Sequence, residues 1–305
     1  MIKIIIKRFI KNYEDIEDVN VREDYTVLSG ILGIFNNLVL FLIKLMIGLV
    51  INSIAVISDA FNNLNDLATS IITIFGAKLS NTPPDREHPY GHGRFEYIAS
   101  LVVSFIIFAV GLSLLKSSID KVINPEEVIF SWASMIILLV SILIKIWMYS
   151  YNKYIGKLID SSINRAIAHD SINDVLSTSA VIVGTVIGNY VTFPIDGILG
   201  IIISLIIIFS AFTIAKDSVN LILGPAPDPK TIDNISSIIL EGDGISGLHN
   251  LNVHDYGPGR ISASVHVEVP ADSNIVEMHN EIHRIEGEIK SKLGISIVIH
   301  IDPIK

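Results

Sequence analysis

Residues 59–66 read DAFNNLND. They lie inside a stretch, 53–80, that is otherwise mostly apolar or small. Two aspartates and three asparagines within eight residues serve no packing purpose there. If the stretch crosses a bilayer, each ionised carboxylate costs roughly 2.5–3.5 kcal/mol on the insertion scale. Whether it crosses decides the fold.

Composition answers first. Half of the 305 residues are hydrophobic and 17% are charged, against about a quarter charged in a soluble chain. Mean hydropathy is +0.56. A spanning helix needs about 20 mostly apolar residues. Six segments meet that length: 26–50, 53–80, 97–119, 129–152, 161–189 and 194–219. The expected fold is an α-helical membrane protein with six transmembrane helices and a soluble C-terminal part. Three regions follow: an N-terminal segment 1–25, a membrane domain 26–220 and a soluble domain 221–305. The opening MIKIIIKRFIKN mixes basic and apolar residues without a small-residue cleavage site. It reads as an interfacial helix rather than a signal peptide. The net charge of −9 is unevenly spread, so it identifies no partner, and no nucleic acid is expected. The absence of cysteine excludes disulfides and thiolate metal sites.

Lys and Arg near the span ends set the orientation. Lys3, Lys7, Arg8, Lys11 and Arg22 precede the first span, Lys78, Arg86 and Arg94 lie between the second and third, and Lys153, Lys157 and Arg165 lie between the fourth and fifth. The opposite side is poorer in basic residues. Both termini are therefore expected in the cytoplasm.

The tail begins after GPAPDPK, residues 224–230, where proline and glycine stop the last span. It reads helix (229–242), strand (246–255), strand (260–269), helix (274–292), strand (295–302), an αββαβ order. In SASVHVEV, Ala263, Val265, Val267 and Val269 share one strand face, with Ser264, His266 and Glu268 on the other. Ile275, Met278, Ile282, Ile285 and Ile289 form the expected buried stripe of the second helix. The polar faces collect His249, His254, His266, His279, His283 and His300, six of the nine histidines. His300 and Asp302 share a strand face. Solvated surface histidines and metal ligands are both consistent with that pattern.

The polar residues of the second span have a counterpart in the fifth. Asn62 and Asp66 are four apart and share a helix face, as do Asp170 and Asp174 in AHDSIND. Asp66 lies about 14 residues before the end of its span and Asp174 about 13 after the start of its own. With antiparallel spans, the two pairs reach similar depth. Three carboxylates and an amide thus converge near the membrane middle. Intramembrane acids mark ion or proton paths. Clustered anions take up protons or a divalent cation, which links metal binding to proton release.

Three motifs together resemble the cation diffusion facilitator family: SDAFNNLND, DREHPYGHGRFE at 85–96 and AHDSINDVLST. The resemblance covers nearly the whole chain. It implies proton-coupled efflux of divalent metal across the cell membrane by alternating access, in a homodimer. It also implies a metallochaperone-like cytoplasmic tail that senses metal, metal as substrate and regulatory ligand, no organic cofactor and no enzymatic activity. A second metal site at Asp85, His88 and His92 is implied, in a loop shaped by Pro83, Pro84, Pro89, Gly91 and Gly93. A tail site at His249, His266, His279, His300 and Asp302 is implied as well.

The chain departs from the zinc pattern of that family. Asn62 and Asp170 stand where zinc transporters carry histidine, and His169 is about 100° around the helix from the expected position. Carboxylate and carbonyl oxygens suit Mg, Ca and Mn, whereas imidazole suits Zn, Cu, Fe and Ni. The all-oxygen set resembles the manganese branch, with Fe²⁺ and then Zn²⁺ as alternatives. A non-transporting membrane metal sensor and a membrane metalloenzyme are the readings from other classes; HExxH is absent. Among the remaining polar residues, Asp59 could line an exit path and Asp196 could aid the start of its own helix. Asn37 could reach the cluster, and GTVIG at 184–188 is a pattern for close helix packing.

Overall fold

The computed structural model describes residues 2–16, 19–80, 84–159, 161–191, 193–257 and 260–304. Pro83 lies outside the described residues. Among them the order is α1 (Ile2–Phe9), α2 (Val19–Val50), α3 (Ile54–Ser80), α4 (Phe95–Ile123), α5 (Trp132–Leu158), α6 (Ser162–Gly188), α7 (Ile195–Leu223), α8 (Pro229–Leu240), β1 (Gly247–Asp255), β2 (Ile261–Pro270), α9 (Ile275–Leu293) and β3 (Ser296–Ile304). Two compact units divide the chain, one of residues 1–74 with 102–215 and one of 75–101 with 216–305.

Each expected span corresponds to one helix. Five of them, α2 and α4 to α7, are long and apolar enough to cross a membrane. The sixth, α3, has 27 residues, and its aspartates and asparagines lower its hydropathy. α5 starts later than its apolar run because the preceding segment leaves helical geometry: Ile129 N–H donates to the Ile51 carbonyl at 2.9 Å.

The first unit exposes large apolar side chains while charged and amide side chains are buried among its apolar clusters. Phe35, Leu143 and Phe209 are 62%, 64% and 71% exposed, while Asn37, Lys44, Asp59, Lys145 and Asp174 are buried. An exterior of this kind suits hydrocarbon. One apolar cluster joins Ile47, Val56, Ile107, Leu138, Val181 and Ile207. A second packs Ile6 and Ile10, from α1 and its end, against Tyr25, Met148, Tyr151 and Ile155. The amphipathic N-terminal helix thus buries its apolar face on α2 and α5. Within GTVIG, Gly184 lies so near α7 that an added Cβ would sit 2.2 Å from Leu199 Cδ1, whereas Gly188 has open space.

In the second unit the sheet order is β1-β2-β3, with β1–β2 antiparallel and β2–β3 parallel. The αββαβ expectation holds. Asp228 caps α8 by accepting from Lys230 N–H, with Pro229 in the first turn. Asn274 caps α9, and Gly294 ends it at φ 70°. Ala263, Val265, Val267 and Val269 face Met278, Ile282, Ile285 and Ile289 in one core. Ile275 does not join that stripe. It is the first residue of α9 and is 77% exposed, because the helix reaches the core only one turn later.

Candidate metal centre

The polar face of α3 meets α5 and α6. Serine caps help place both α3 and α6. Ser161 Oγ accepts from Asn164 N–H at the start of α6, and Ser53 Oγ accepts from Val56 N–H at the start of α3. Asp196 completes the second cap: its carboxylate accepts from Ser53 Oγ at 2.5 Å, from Ile54 N–H at 2.8 Å and from Ala55 N–H at 3.4 Å. Asp196 therefore serves the helix start of α3 rather than that of its own helix. Its position in the first turn of α7 directs the carboxylate there, where Lys121 also pairs with it at 3.2 Å.

Carboxylate oxygens of Asp66, Asp170 and Asp174 lie within 4.8 Å of one another. Asn62 Nδ2 donates to Asp174 Oδ1 at 2.6 Å. The two i, i+4 pairs thus face each other. Asp174 is buried and Asp170 is exposed, so the cluster is open on the Asp170 side. His169 is also exposed and stands outside the cluster. A further side chain enters from α5. Lys145 Nζ donates to Asp66 Oδ2 at 3.0 Å, to Asp174 Oδ2 and to Asn37 Oδ1 at 2.8 Å. Asn37 of α2 is joined to the cluster through Lys145. Asp59 does not line a path here. It is buried, accepting from Lys44 Nζ and Thr178 Oγ1, each at 2.8 Å, and from Ser177 Oγ at 3.3 Å.

The loop between α3 and α4 carries a second cluster. Ligand atoms of Asp85, His88 and His92 lie within 4.8 Å of one another. Asp85 Oδ1 accepts from the backbone N–H groups of His88 and Glu87, at 2.6 and 2.9 Å. Those bonds, the His88 one foremost, and the nearby imidazoles hold its carboxyl below the usual range. The His88 and His92 rings are 4.5 Å apart, and His92 Nδ1 is buried without a hydrogen-bond partner. In the same unit the loop rests on the end of β1: Arg94 Nη2 donates to the Asp255 carbonyl at 2.8 Å, and Tyr90 stacks on Tyr256 at 4.3 Å.

The third cluster lies across the sheet. His249 stands opposite His266, and His266 opposite His300; Glu268 stands opposite Asp302. Asp302 Oδ2 lies 2.9 Å from His266 Nδ1 and 3.1 Å from His249 Nε2, and Asp302 Oδ1 lies 3.4 Å from His300 Nε2. The hydrogen bond to His266 and the surrounding imidazoles hold the Asp302 carboxyl below its ordinary value. His279 is not brought to this group. It sits exposed on α9, beside His283. The reason is geometric: the face of β2 that carries Val265 and Val267 packs on α9, so His266 projects from the opposite face.

Comparison with known proteins decides the family. Residues 30–223 match the model of the cation efflux transmembrane domain, and residues 227–304 match that of the cation efflux protein cytoplasmic domain. The chain belongs to the cation efflux family. These are the cation diffusion facilitators, a family of transporters and not of enzymes. An uncharacterized transporter of Methanocaldococcus jannaschii is 35% identical over 86% of this chain and 91% of its own. The manganese efflux system protein MneS of Bacillus subtilis is 31% identical over 91% of this chain and 95% of its own. The cation-efflux pump FieF of Klebsiella pneumoniae is 24% identical over 87% and 88%.

Two lysines of this cation efflux protein, Lys44 and Lys145, pair with buried aspartates and are not among the expected site residues. Lys44 and Lys145 sit within apolar helices, as Asp66 does, and an intramembrane charge of either sign is the same signal. The orientation rule counts only basic residues near span ends, so it is silent on both. Glu268 shares the strand face of His266, as its alternation predicts, and lies 3.2 Å from His249 Nδ1; that cross-strand pairing depends on register.

Proposed function

We propose that this transporter exports divalent metal, Mn²⁺ foremost, in exchange for protons. Asn62, Asp66, Asp170 and Asp174 form its transport site. One observation carries the reading: carboxylate oxygens from two helices converge inside the membrane unit, and His169, next to Asp170 in the chain, is not among them. Hard oxygen donors fit Mn²⁺ better than Zn²⁺, which favours a compact tetrahedron of N or S ligands. Two relatives of this chain are named as manganese efflux proteins, which supports the same cargo. Carboxylates buried together bind protons when metal leaves, and that supplies the exchange.

The Asp85–His88–His92 loop and the His249–His266–Asp302 sheet face act as regulatory metal sites in this reading. Each combines imidazole and carboxylate donors close enough for one ion. The chain works as a homodimer in the cell membrane, with both termini cytoplasmic, as its basic loops direct. Full-length protein in sealed vesicles tests the reading. Mn²⁺ added on one side should move inward while protons move outward, each flux requiring the other. A stronger Zn²⁺ or Fe²⁺ flux would reassign the cargo, and metal movement without proton movement would remove the antiport.

A further inference from the structure

The transport cluster already holds a cation. An ammonium has three N–H donors, and Lys145 Nζ meets three oxygens: Asn37 Oδ1, Asp66 Oδ2 and Asp174 Oδ2. Two of these belong to the carboxylates assigned to metal. The Lys145 side chain is 2% exposed, and it comes from α5, a helix that supplies none of the acids. A divalent ion and an ammonium drawn to the same two carboxylate oxygens compete for them. Their like charges repel at a separation of a few ångströms, and weak solvent screening in a buried site leaves that repulsion in force.

We propose that Lys145 is a tethered competitor for the transported metal. It occupies the Asp66 and Asp174 oxygens when metal is absent, leaves them when metal binds, and returns on release. The inference rests on the transport-site reading above. Its chemistry follows from charge. Three adjacent carboxylates without a counter-cation would retain a divalent ion tightly and would be costly to leave bare. An ammonium on a flexible four-carbon stem offsets that charge between cycles and weakens metal retention, so that the ion can leave. Asp170, which Lys145 does not contact in the described bonds, remains as the exposed first point of capture.

The experiment uses the full chain in detergent, with His88→Ala and His266→Ala to silence the other clusters, and Mn²⁺ as the probe. Lys145→Met should bind Mn²⁺ about tenfold or more tightly than the parent, while its vesicle flux falls because release slows. Lys145→Arg keeps the charge and should bind no more tightly than the parent. Labelling of Lys145 by an amine-reactive reagent, read by mass spectrometry in the parent protein, should rise when Mn²⁺ is added; this readout survives even if Lys145→Met does not fold. Unchanged or weaker binding by folded Lys145→Met, tighter binding by Lys145→Arg, or Mn²⁺-independent labelling would each overturn the proposal. Asp170→Ala separates the two layers. If it leaves Mn²⁺ binding intact, the transport site itself is misassigned. If it abolishes binding while Lys145→Met leaves affinity unchanged, only the competitor role falls.

Discussion

Lys44 Nζ lies 2.8 Å from Asp59 Oδ2, and neither side chain reaches the surface. Thr178 Oγ1 touches both groups, at 2.9 Å from the ammonium and 2.8 Å from the carboxylate. The pair ties α2, α3 and α6 together about one helical turn from the Asn62–Asp174 contact. Breaking such a pair leaves an uncompensated charge, at about 3–5 kcal/mol. Lys44→Met should therefore lower the thermal midpoint of detergent-solubilised protein markedly, and adding Asp59→Asn should recover most of the loss. A single variant that melts like the parent would show the pair to be dispensable.

Asp66 and Asp174 each supply a carboxylate to the cluster and a partner to Lys145. Replacing either by alanine should reduce metal-driven proton flux by about 100-fold or more, exceeding what loss of an outer-shell partner costs. Size-exclusion profiles should stay those of the parent. Parental flux in either variant would refute the site.

Asn62 and Asp170 are the positions where imidazole would shift the donor set toward zinc. The double change Asn62→His and Asp170→His keeps the i, i+4 spacing within each helix pair. It should raise Zn²⁺ flux and lower Mn²⁺ flux in parallel vesicle assays. An unchanged ratio would mean that cargo choice is made elsewhere.

The soluble tail has its own core, so fragment 225–305 is a fair test object. Divalent metal at about 100 times Kd should stabilise it by about 2.7 kcal/mol, read as a rise in thermal midpoint. His266→Ala and Asp302→Ala should abolish the rise, and His279→Ala should leave it, since His279 lies on α9. Acid adds a second check. The Asp302 carboxyl is depressed below its ordinary value near 3.8, so its contribution is present above that value and is lost as pH falls below it. His266→Ala removes the largest cause of the depression and should move the acid-unfolding midpoint to higher pH. A midpoint that stays put would show that this hydrogen bond adds nothing to folding.

Gly93 brings the loop that carries Asp85, His88 and His92 against the β1 end. An added Cβ would sit 2.4 Å from the Tyr256 carbonyl oxygen and 2.8 Å from Gly257 Cα, closer than real Cβ atoms pack. Gly93→Ala should loosen this contact by about 1–3 kcal/mol. Amide exchange in residues 88–95 and 253–257 should accelerate, and unchanged protection would show that the loop accommodates the methyl.

What could be read in one dimension was whatever depends on local periodicity. Runs of about 20 apolar residues announce spanning helices because the bilayer sets their length. Strict alternation in SASVHVEV is enough to put Val265 and Val267 on one strand face and His266 on the other. The i, i+4 spacing of Asn62 with Asp66 and of Asp170 with Asp174 put each pair on one face, and similar depth brought the faces together. Partner choice across helices is another matter, since nothing in local spacing states which residue a side chain meets 79 positions away. Lys145 reaches Asp66 over that separation, and Asp196 caps a helix 142 positions upstream of it. His279 and His266 look alike in the sequence, yet the sheet holds one with Asp302 while the helix turns the other outward. Those assignments depend on helix rotation, strand register and the faces buried in packing, which only the assembled tertiary structure decides.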